Sequence, residues 1–230
     1  MSPGCLAFLI LFGFFFLVPF VFMHAMLTAL SRLGLTPESA LLALIGIFLG
    51  GAVNIPVKRI EREQEMEYNP FLIFGLHRVL PPDWMSSFRR PVRAVTIIAV
   101  NVGGCLIPVT IAVYETLRVL ERGAYAFFVL LGVTALNVAV CYRLARPIPG
   151  VGIGMPALIP PFFAALPSLL LVPAFAPPIA FTAGVLGPLI GADILHLKDI
   201  TRVQTGIASI GGAGTFDGIV LSGMIASLLA

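Results

Sequence analysis

Two aspartates stand in apolar, glycine-rich stretches of this sequence and are its strongest candidates for a chemical role. Asp193 lies in "GADILHL" (191–197), and Asp217 lies in "GTFDGIV" (214–220). A carboxylate at membrane depth is costly unless it is paired, protonated or hydrated. Aspartates in such surroundings therefore predict a functional site.

Two kinds of chemistry fit a pair of carboxylates of this kind. If Asp193 and Asp217 lie close together, they can share one proton, so that one acts as a base toward water and the other as an acid toward a peptide bond. If they lie apart along a cavity, they can bind a cation or a proton during transport, beside a glycine-rich half-helix. The residues alone leave both alternatives open.

The composition places these aspartates in a membrane protein. The chain has 230 residues, of which 59% are hydrophobic and only 11% are charged, and its mean hydropathy is +1.04. A soluble domain of this length needs more charged residues to cover its surface. Several windows also exceed the roughly 18 apolar residues that mark a spanning helix. We expect a single all-α, polytopic transmembrane domain over residues 1–230, in contact with the lipid bilayer.

About seven transmembrane helices are expected. The apolar segments cover approximately residues 5–30, 40–57, 94–117, 124–142, 156–175, 178–197 and 204–229. The polar stretch 58–93 is expected to be a cytoplasmic or interfacial loop. Its first part, "KRIEREQEME", is expected to extend the second helix into solvent, and its later apolar part with Trp84 suits the headgroup region.

The basic residues predict the orientation of the chain in the cytoplasmic membrane of a prokaryote. With seven spans and the N-terminus inside, the inside segments hold eleven Lys and Arg residues: Lys58, Arg59, Arg62, Arg78, Arg89, Arg90, Arg93, Arg143, Arg146, Lys198 and Arg202. The outside segments hold three, Arg32, Arg118 and Arg122. This bias favours a cytoplasmic N-terminus and an external C-terminus. The basic loops suit anionic lipid headgroups, and no nucleic-acid partner is expected.

Glycine and proline interrupt several of the apolar segments, above all in "RPIPGVGIGMPALIPPFFAALP" (146–167). Backbone groups freed by these residues must find partners in protein or in a water-filled cavity. We therefore expect broken or re-entrant segments. Straight helices would place Asp193 about 7–8 Å from Lys198 and Asp217 about 22 Å from Arg202, at different depths. The two aspartates can meet only if the segment "TGIASIGGAGTF" (205–216) breaks or re-enters.

Three segments resemble those of a known family. "RPIPGVGIGMPALIPP", "LIGADILHL" and "ASIGGAGTFDGIVLSG" resemble the signature segments of an uncharacterised prokaryotic membrane-protein family, domain of unknown function 1614. This resemblance covers most of the chain from about the third span onward. It supports the membrane architecture and implies no activity.

A weaker similarity connects the same segments to presenilin-like intramembrane aspartyl proteases. Phe216-Asp217 is similar to their aromatic-Asp motif, and Gly191-Ala192-Asp193 is similar to the end of their Gly-x-Gly-Asp motif. Pro156-Ala157-Leu158 matches their Pro-Ala-Leu motif. The order of the motifs along the chain is reversed here, and the first glycine of the second motif is absent. The resemblance implies an aspartyl protease site.

From these observations we expect a membrane-embedded aspartyl hydrolase acting on a transmembrane peptide. An ion- or proton-coupled transporter or channel for a small solute is the alternative, and the similarity of "GGAVNIPV" (50–57) to "NVGGCLIPV" (101–109) favours it if it reflects a repeat. Asp193 and Asp217 are the expected catalytic pair, and neither a metal nor a cofactor is expected. The expected substrate-binding residues are Pro156, Ala157, Leu158, Gly191, Gly212, Gly214, Phe216 and Gly218.

Overall fold

The computed structural model describes residues 3–67, 89–148, 152–199 and 206–230 of the chain. These ranges are mostly helical and contain seven α-helices and five strands. In chain order they are α1 (Pro3–Arg32), α2 (Pro37–Gly50), β1 (Asn54–Glu67), β2 (Arg89–Asn101), α3 (Ile107–Glu121), α4 (Ala124–Leu144), β3 (Arg146–Ile148), β4 (Gly152–Gly154), α5 (Ile159–Leu171), α6 (Ala176–Leu186), β5 (Ile207–Ile210) and α7 (Gly218–Leu229). Two π-helical stretches adjoin them: Val102–Leu106 leads into α3, and Gly187–Ile194 continues α6.

Four helical segments in the described ranges are long and apolar enough to cross a bilayer. They are Leu11–Arg32, Val102–Glu121, Ala124–Leu144 and Pro173–Ile194, of 20 to 22 residues each. A spanning helix needs about 20 residues, because each residue adds about 1.5 Å to a hydrocarbon core about 30 Å thick. Helices α2, α5 and α7 are apolar but shorter. The chain is thus membrane-embedded, and each of the seven expected segments contains a helix.

Helix α6 forms the centre of the helical bundle. It packs against α3, α4, α5 and α7, and every side chain from Pro178 to Val185 is buried. Small residues allow this close packing, since a Cβ atom on Gly184 would lie 2.8 Å from the carbonyl oxygen of Ser222 in α7. Small residues at helix contacts are typical of membrane proteins, where close backbone approach increases dispersion contacts.

Helix α1 is held by the bundle only near its C-terminal end. Residues near that end, including Met26, Leu30 and Leu33 just beyond it, are buried in the main core cluster. In the preceding half, Phe15 is 72% exposed and Phe20 is 69% exposed. An apolar helix with such an exposed surface suits contact with lipid acyl chains.

A three-stranded sheet joins the helices at the end of the bundle that carries the aspartates. Its order is β1–β2–β5, with β1 antiparallel to β2 and β5 parallel to β2. A short hairpin of β3 and β4 forms a second sheet. The prediction of an all-α fold is therefore wrong at these residues. Strand β2 contains the β-branched run Val95–Ile98, which favours a strand once a partner is available.

The ends of the expected 58–93 loop are parts of strands. Residues 54–67 form β1, so the expected helical extension at "KRIEREQEME" is wrong. Helix α2 ends at Gly50, and Pro56 would remove a hydrogen bond from the interior of a longer helix. Pairing with β2 satisfies the backbone of β1 instead, with a bulge between Pro56 and Lys58. Residues 68–88, including the apolar part with Trp84, lie outside the described residues.

The break expected before Asp217 is confirmed for residues 206–217. This stretch contains β5 and tight turns, and the helix expected over 204–229 begins only at Gly218. Gly211 (φ 73°) and Gly214 (φ 59°) adopt left-handed backbone conformations that other residues rarely take. The glycines therefore turn the chain sharply between β5 and α7.

Candidate functional site

Asp217 is the N-cap residue of α7. Its backbone is extended (φ −70°, ψ 149°), and its Oδ1 atom accepts a hydrogen bond from the Ile219 N–H at 3.0 Å. Its Oδ2 atom accepts a second hydrogen bond, from the Ala213 N–H at 3.3 Å. A carboxylate at a helix N-terminus satisfies free amide groups and interacts favourably with the helix dipole. The local sequence thus positions Asp217 at the point where the glycine-rich turn becomes a helix.

Asp193 lies in the π-helical continuation of α6. Such a bulge widens the helix and is often found at functional sites. Two glycines let this stretch pack closely against α4: a Cβ atom on Gly187 would lie 2.4 Å from the Asn137 side chain, and one on Gly191 would lie 2.4 Å from the Val138 carbonyl oxygen. The buried Asn137 also donates a hydrogen bond to the carbonyl oxygen of Ala183 in α6. These contacts fix the end of α6 that carries Asp193.

Asp193 and Asp217 line the same cavity, which has a volume of about 330 Å³. The rest of its wall consists of residues 207–213, which include β5, and residues 152–153 of β4. The structure thus brings together the two residues that the sequence singles out.

The two carboxyl groups differ in their hydrogen bonds. Both oxygens of Asp217 accept bonds from backbone N–H groups, which favours its ionised form. Asp193 is half-buried, and its side chain makes no hydrogen bond within the part of the chain that the structure describes. The two carboxyl groups of the cavity therefore differ in the backbone donors that they meet: Asp217 has two, and Asp193 has none among the described residues.

The glycine-rich turn is held in place by close backbone contacts with the start of α3 and the end of α2. A Cβ atom on Gly104 would lie 2.0 Å from the Gly211 carbonyl oxygen, and one on Gly214 would lie 3.0 Å from the Cα atom of Gly51. Only glycine fits such approaches. Gly214, which we expected to bind substrate, therefore has a packing role in this structure.

A hydrogen-bonded network also connects the cavity wall to the sheet. The fully buried Asn101 donates to the Gly51 carbonyl oxygen at 2.8 Å and to Asn54 Oδ1 at 3.0 Å, and it accepts from the Gly104 N–H at 2.7 Å. Ser209 in β5 donates to the same Asn54 Oδ1 atom at 2.5 Å. The network joins β1, β2 and β5 beside the cavity.

The other expected substrate-binding residues have different surroundings. Gly212 lines the cavity, whereas Gly191 packs against α4. Phe216 is 65% exposed and stacks on Phe22 of α1. Gly218 begins α7 beside Met155.

The Pro-Ala-Leu segment does not contribute to this cavity. Pro156, Ala157 and Leu158 are all exposed, with Leu158 at 70%, and none of them is part of the cavity wall. They precede α5, where the prolines begin a new helix. The Pro-Ala-Leu segment therefore lies at the start of α5 and contributes no side chain to the cavity of the two aspartates.

Sequence reasoning missed the residues of β4 and β5 that form most of the wall. Ser209 and Ile153 are of residue types that are common in apolar sequence, so their types alone do not mark them as site residues. The alternation of residue types in "GIASI" (206–210) is the sequence feature that could have indicated strand β5. The neighbouring glycines, which are rare in strands, obscure this pattern. Within the described residues, no group of three or more His, Cys, Asp or Glu side chains comes together as a metal site.

Comparison with known proteins identifies the family. No curated protein and no solved structure matches the chain. A model of a protein family, described as "Protein of unknown function (DUF1614)", matches residues 48–229, a stretch that contains both aspartates and the whole cavity wall. The resemblance found in the sequence is thereby confirmed, and the chain belongs to the DUF1614 family of proteins of unknown function.

Proposed function

We propose that this protein is an intramembrane aspartyl hydrolase that uses Asp193 and Asp217 to cleave a transmembrane peptide. One observation carries the proposal: the two carboxyl groups line one cavity, at the end of the spanning segment Pro173–Ile194. Two carboxyl groups that share a proton in such a cavity are suited to acid–base attack by water.

The different hydrogen bonds of the two residues suggest their roles. Asp217, held as a carboxylate by the Ala213 and Ile219 N–H groups, takes a proton from water as the water oxygen bonds to the peptide carbonyl carbon. Asp193, carrying the shared proton, gives it to the carbonyl oxygen. Asp217 then returns its proton to the leaving nitrogen, while Asp193 recovers one as the new carboxyl group forms and the C–N bond breaks. Each turnover adds one water molecule and restores the shared proton.

The proposal includes an arrangement in the membrane. Seven helical segments lie in the cytoplasmic membrane of a prokaryote, with the N-terminus inside and the C-terminus outside, as the basic residues favour. The turns at 206–217 and the π-helical end of α6 then form a broken or re-entrant region where backbone groups face the cavity instead of lipid. A substrate helix must unwind there before water can reach its peptide bond.

The test uses the purified protein in liposomes with a synthetic transmembrane peptide of about 24 residues, long enough to cross the bilayer. The wild type is expected to cleave it, and Asp193→Asn and Asp217→Asn are each expected to reduce the rate by at least about 100-fold, the range for one acid–base group. Glu121→Gln changes an exposed carboxylate at the end of α3 and serves as the control. Equal cleavage by all four proteins would refute the proposal.

Ion- or proton-coupled transport is the second candidate, and the broken helices favour it. Helix α6 continues into a π-helical stretch that carries Asp193, and Asp217 is the N-cap residue of α7. Transporters often bind ions and anionic groups at such discontinuous helix ends. The same liposomes with a pH-sensitive dye inside discriminate the two functions. Proton flux that requires both aspartates, in the absence of peptide cleavage, would establish transport and overturn the hydrolase.

A further inference from the structure

Strand β5 is an edge strand of its sheet and borders the cavity. In the described sheet it pairs with β2 on one side only, and all four of its residues line the cavity. An unpaired strand edge presents N–H and C=O groups that can pair with another extended chain. A ligand in the cavity can therefore form hydrogen bonds with the backbone N–H and C=O groups on this edge of β5.

The register identifies these groups. Ile97 of β2 donates its N–H to the Gly206 carbonyl oxygen, and Ile97 is paired with Ile207. In a parallel ladder with this pattern, Gly206, Ala208 and Ile210 direct their backbone groups toward β2. Ile207 and Ser209 then direct theirs away from it. The Ser209 carbonyl oxygen accepts from the Gly212 N–H. Among the described residues, this leaves the Ile207 N–H, the Ile207 carbonyl and the Ser209 N–H on the free edge.

A second free edge borders the same cavity. Strand β4 pairs with β3 on one side, with Pro147 opposite Ile153. Since proline has no N–H, the ladder bonds of this hairpin connect the flanking pairs, Arg146 with Gly154 and Ile148 with Gly152. The N–H and C=O groups of Ile153 then point away from β3. Gly152 and Ile153 both belong to the cavity wall.

We propose that the occupant of this cavity is an extended polypeptide segment that binds by adding a strand to β5. Strand addition supplies affinity through backbone hydrogen bonds, and apolar side chains such as Ile207 and Ile153 suit a substrate taken from a membrane helix. The proposal rests on the proposed hydrolase function, because the added strand would run beside Asp193 and Asp217. Strand addition requires an extended substrate conformation, whereas the two aspartates alone do not specify any conformation of the substrate.

The test measures peptide binding separately from cleavage. The probe is a fluorescent transmembrane peptide of about 24 residues with a central Gly-Gly, and the protein is Asp193→Asn in liposomes. A series of peptides carries one N-methyl group at each successive central position. Strand addition predicts that affinity falls at every second position, by about 5-fold for each hydrogen bond lost, because alternate residues face β5. Equal sensitivity at all positions, or none, would overturn the proposal.

A variant of the protein tests the same backbone hydrogen bonds by changing β5 instead of the peptide. Ile207→Pro removes the free N–H without removing a bond to β2, and an edge strand tolerates proline at such a position. It is expected to weaken binding about 5-fold, whereas Ile207→Val keeps the N–H and is expected to bind normally. Equal affinity of the two variants would contradict strand addition. If Ile207→Pro does not fold, the N-methyl series decides alone.

The two proposals fail in different ways. Alternating sensitivity to N-methylation with no cleavage by the wild type would support strand addition and refute hydrolysis. Cleavage that requires both aspartates, with no alternation in binding, would support hydrolysis and refute strand addition.

Discussion

Asp217 accepts hydrogen bonds on both carboxylate oxygens from backbone N–H groups, whereas Asp193, in the same cavity, accepts none within the described residues. The difference arises from their positions. Asp217 stands where a glycine-rich turn meets a helix N-terminus, and Asp193 stands on the widened end of another helix. Two identical side chains in one cavity thus have different hydrogen-bonding environments.

The N-cap role of Asp217 can be separated from its proposed catalytic role. Asparagine is as good an N-cap as aspartate, whereas alanine at an N-cap costs about 1 kcal/mol. Asp217→Asn keeps an acceptor oxygen for the Ile219 N–H but places an NH2 group against the Ala213 N–H, so it is expected to lose less stability than Asp217→Ala and to lack cleavage activity. Asp217→Ala is expected to lose activity and about 1 kcal/mol of stability. An Asp217→Asn protein that still cleaves the peptide would show that Asp217 serves only as the N-cap of α7 and is not catalytic.

The shared proton predicts a bell-shaped dependence of the cleavage rate on pH. At low pH both carboxyl groups are protonated and no base is available, and at high pH both are ionised and no acid is available. The measurement is the cleavage rate of the transmembrane peptide across the pH range, with Glu121→Gln as the control that keeps the profile. A rate that rises steadily with pH would contradict a two-carboxyl mechanism.

Gly104→Ala is expected to destabilise the protein by displacing Gly211, which lines the cavity, although Gly104 itself does not line it. The new Cβ atom would lie 2.0 Å from the Gly211 carbonyl oxygen, and overpacking of this kind costs about 1–3 kcal/mol. Gly132→Ala in α4 is the matched control, since nothing lies within 4 Å of its added Cβ atom and alanine favours a helix. Thermal unfolding in detergent checks both. Equal stability of the two variants would argue against the close contact of Gly104 with Gly211.

Asn101→Ala is expected to destabilise the joint between β1, β2 and the turn before α3. Asn101 is completely buried and makes three hydrogen bonds. Its loss leaves the buried Gly104 N–H unsatisfied, at about 1–3 kcal/mol. Asn54→Ala changes an exposed residue in the same network and is expected to cost less. The comparison is made by thermal unfolding, and a larger loss for Asn54→Ala would contradict the network described.

The sequence predicted the elements governed by hydrophobic length and by rare charges. Apolar runs located seven helices, and carboxylates in glycine-rich surroundings located two residues that share a cavity. The glycines also predicted a break in the C-terminal part of the chain, and helix α7 begins only at Gly218.

The sheet was not predictable in the same way, because its strands depend on partners distant in the chain. "KRIEREQEME" consists mainly of residues that favour a helix, and it becomes a strand only by pairing with β2. Ser209 belongs to the cavity wall only because β5 pairs with β2 and Asn54 holds its hydroxyl group. Conversely, Pro156-Ala157-Leu158 matched a motif in letters, but its exposed position at the start of α5 keeps it out of the cavity.

The most direct test of the two-aspartate hydrolase is cleavage of the transmembrane peptide in ¹⁸O-labelled water, followed by mass spectrometry of the products. Attack by water predicts one ¹⁸O atom in the new C-terminal carboxyl group with the wild type and with Glu121→Gln. Asp193→Asn and Asp217→Asn are expected to give no labelled product. Labelled product at the wild-type rate from either variant, or no product from the wild type, would contradict the assignment of Asp193 and Asp217 as the catalytic pair.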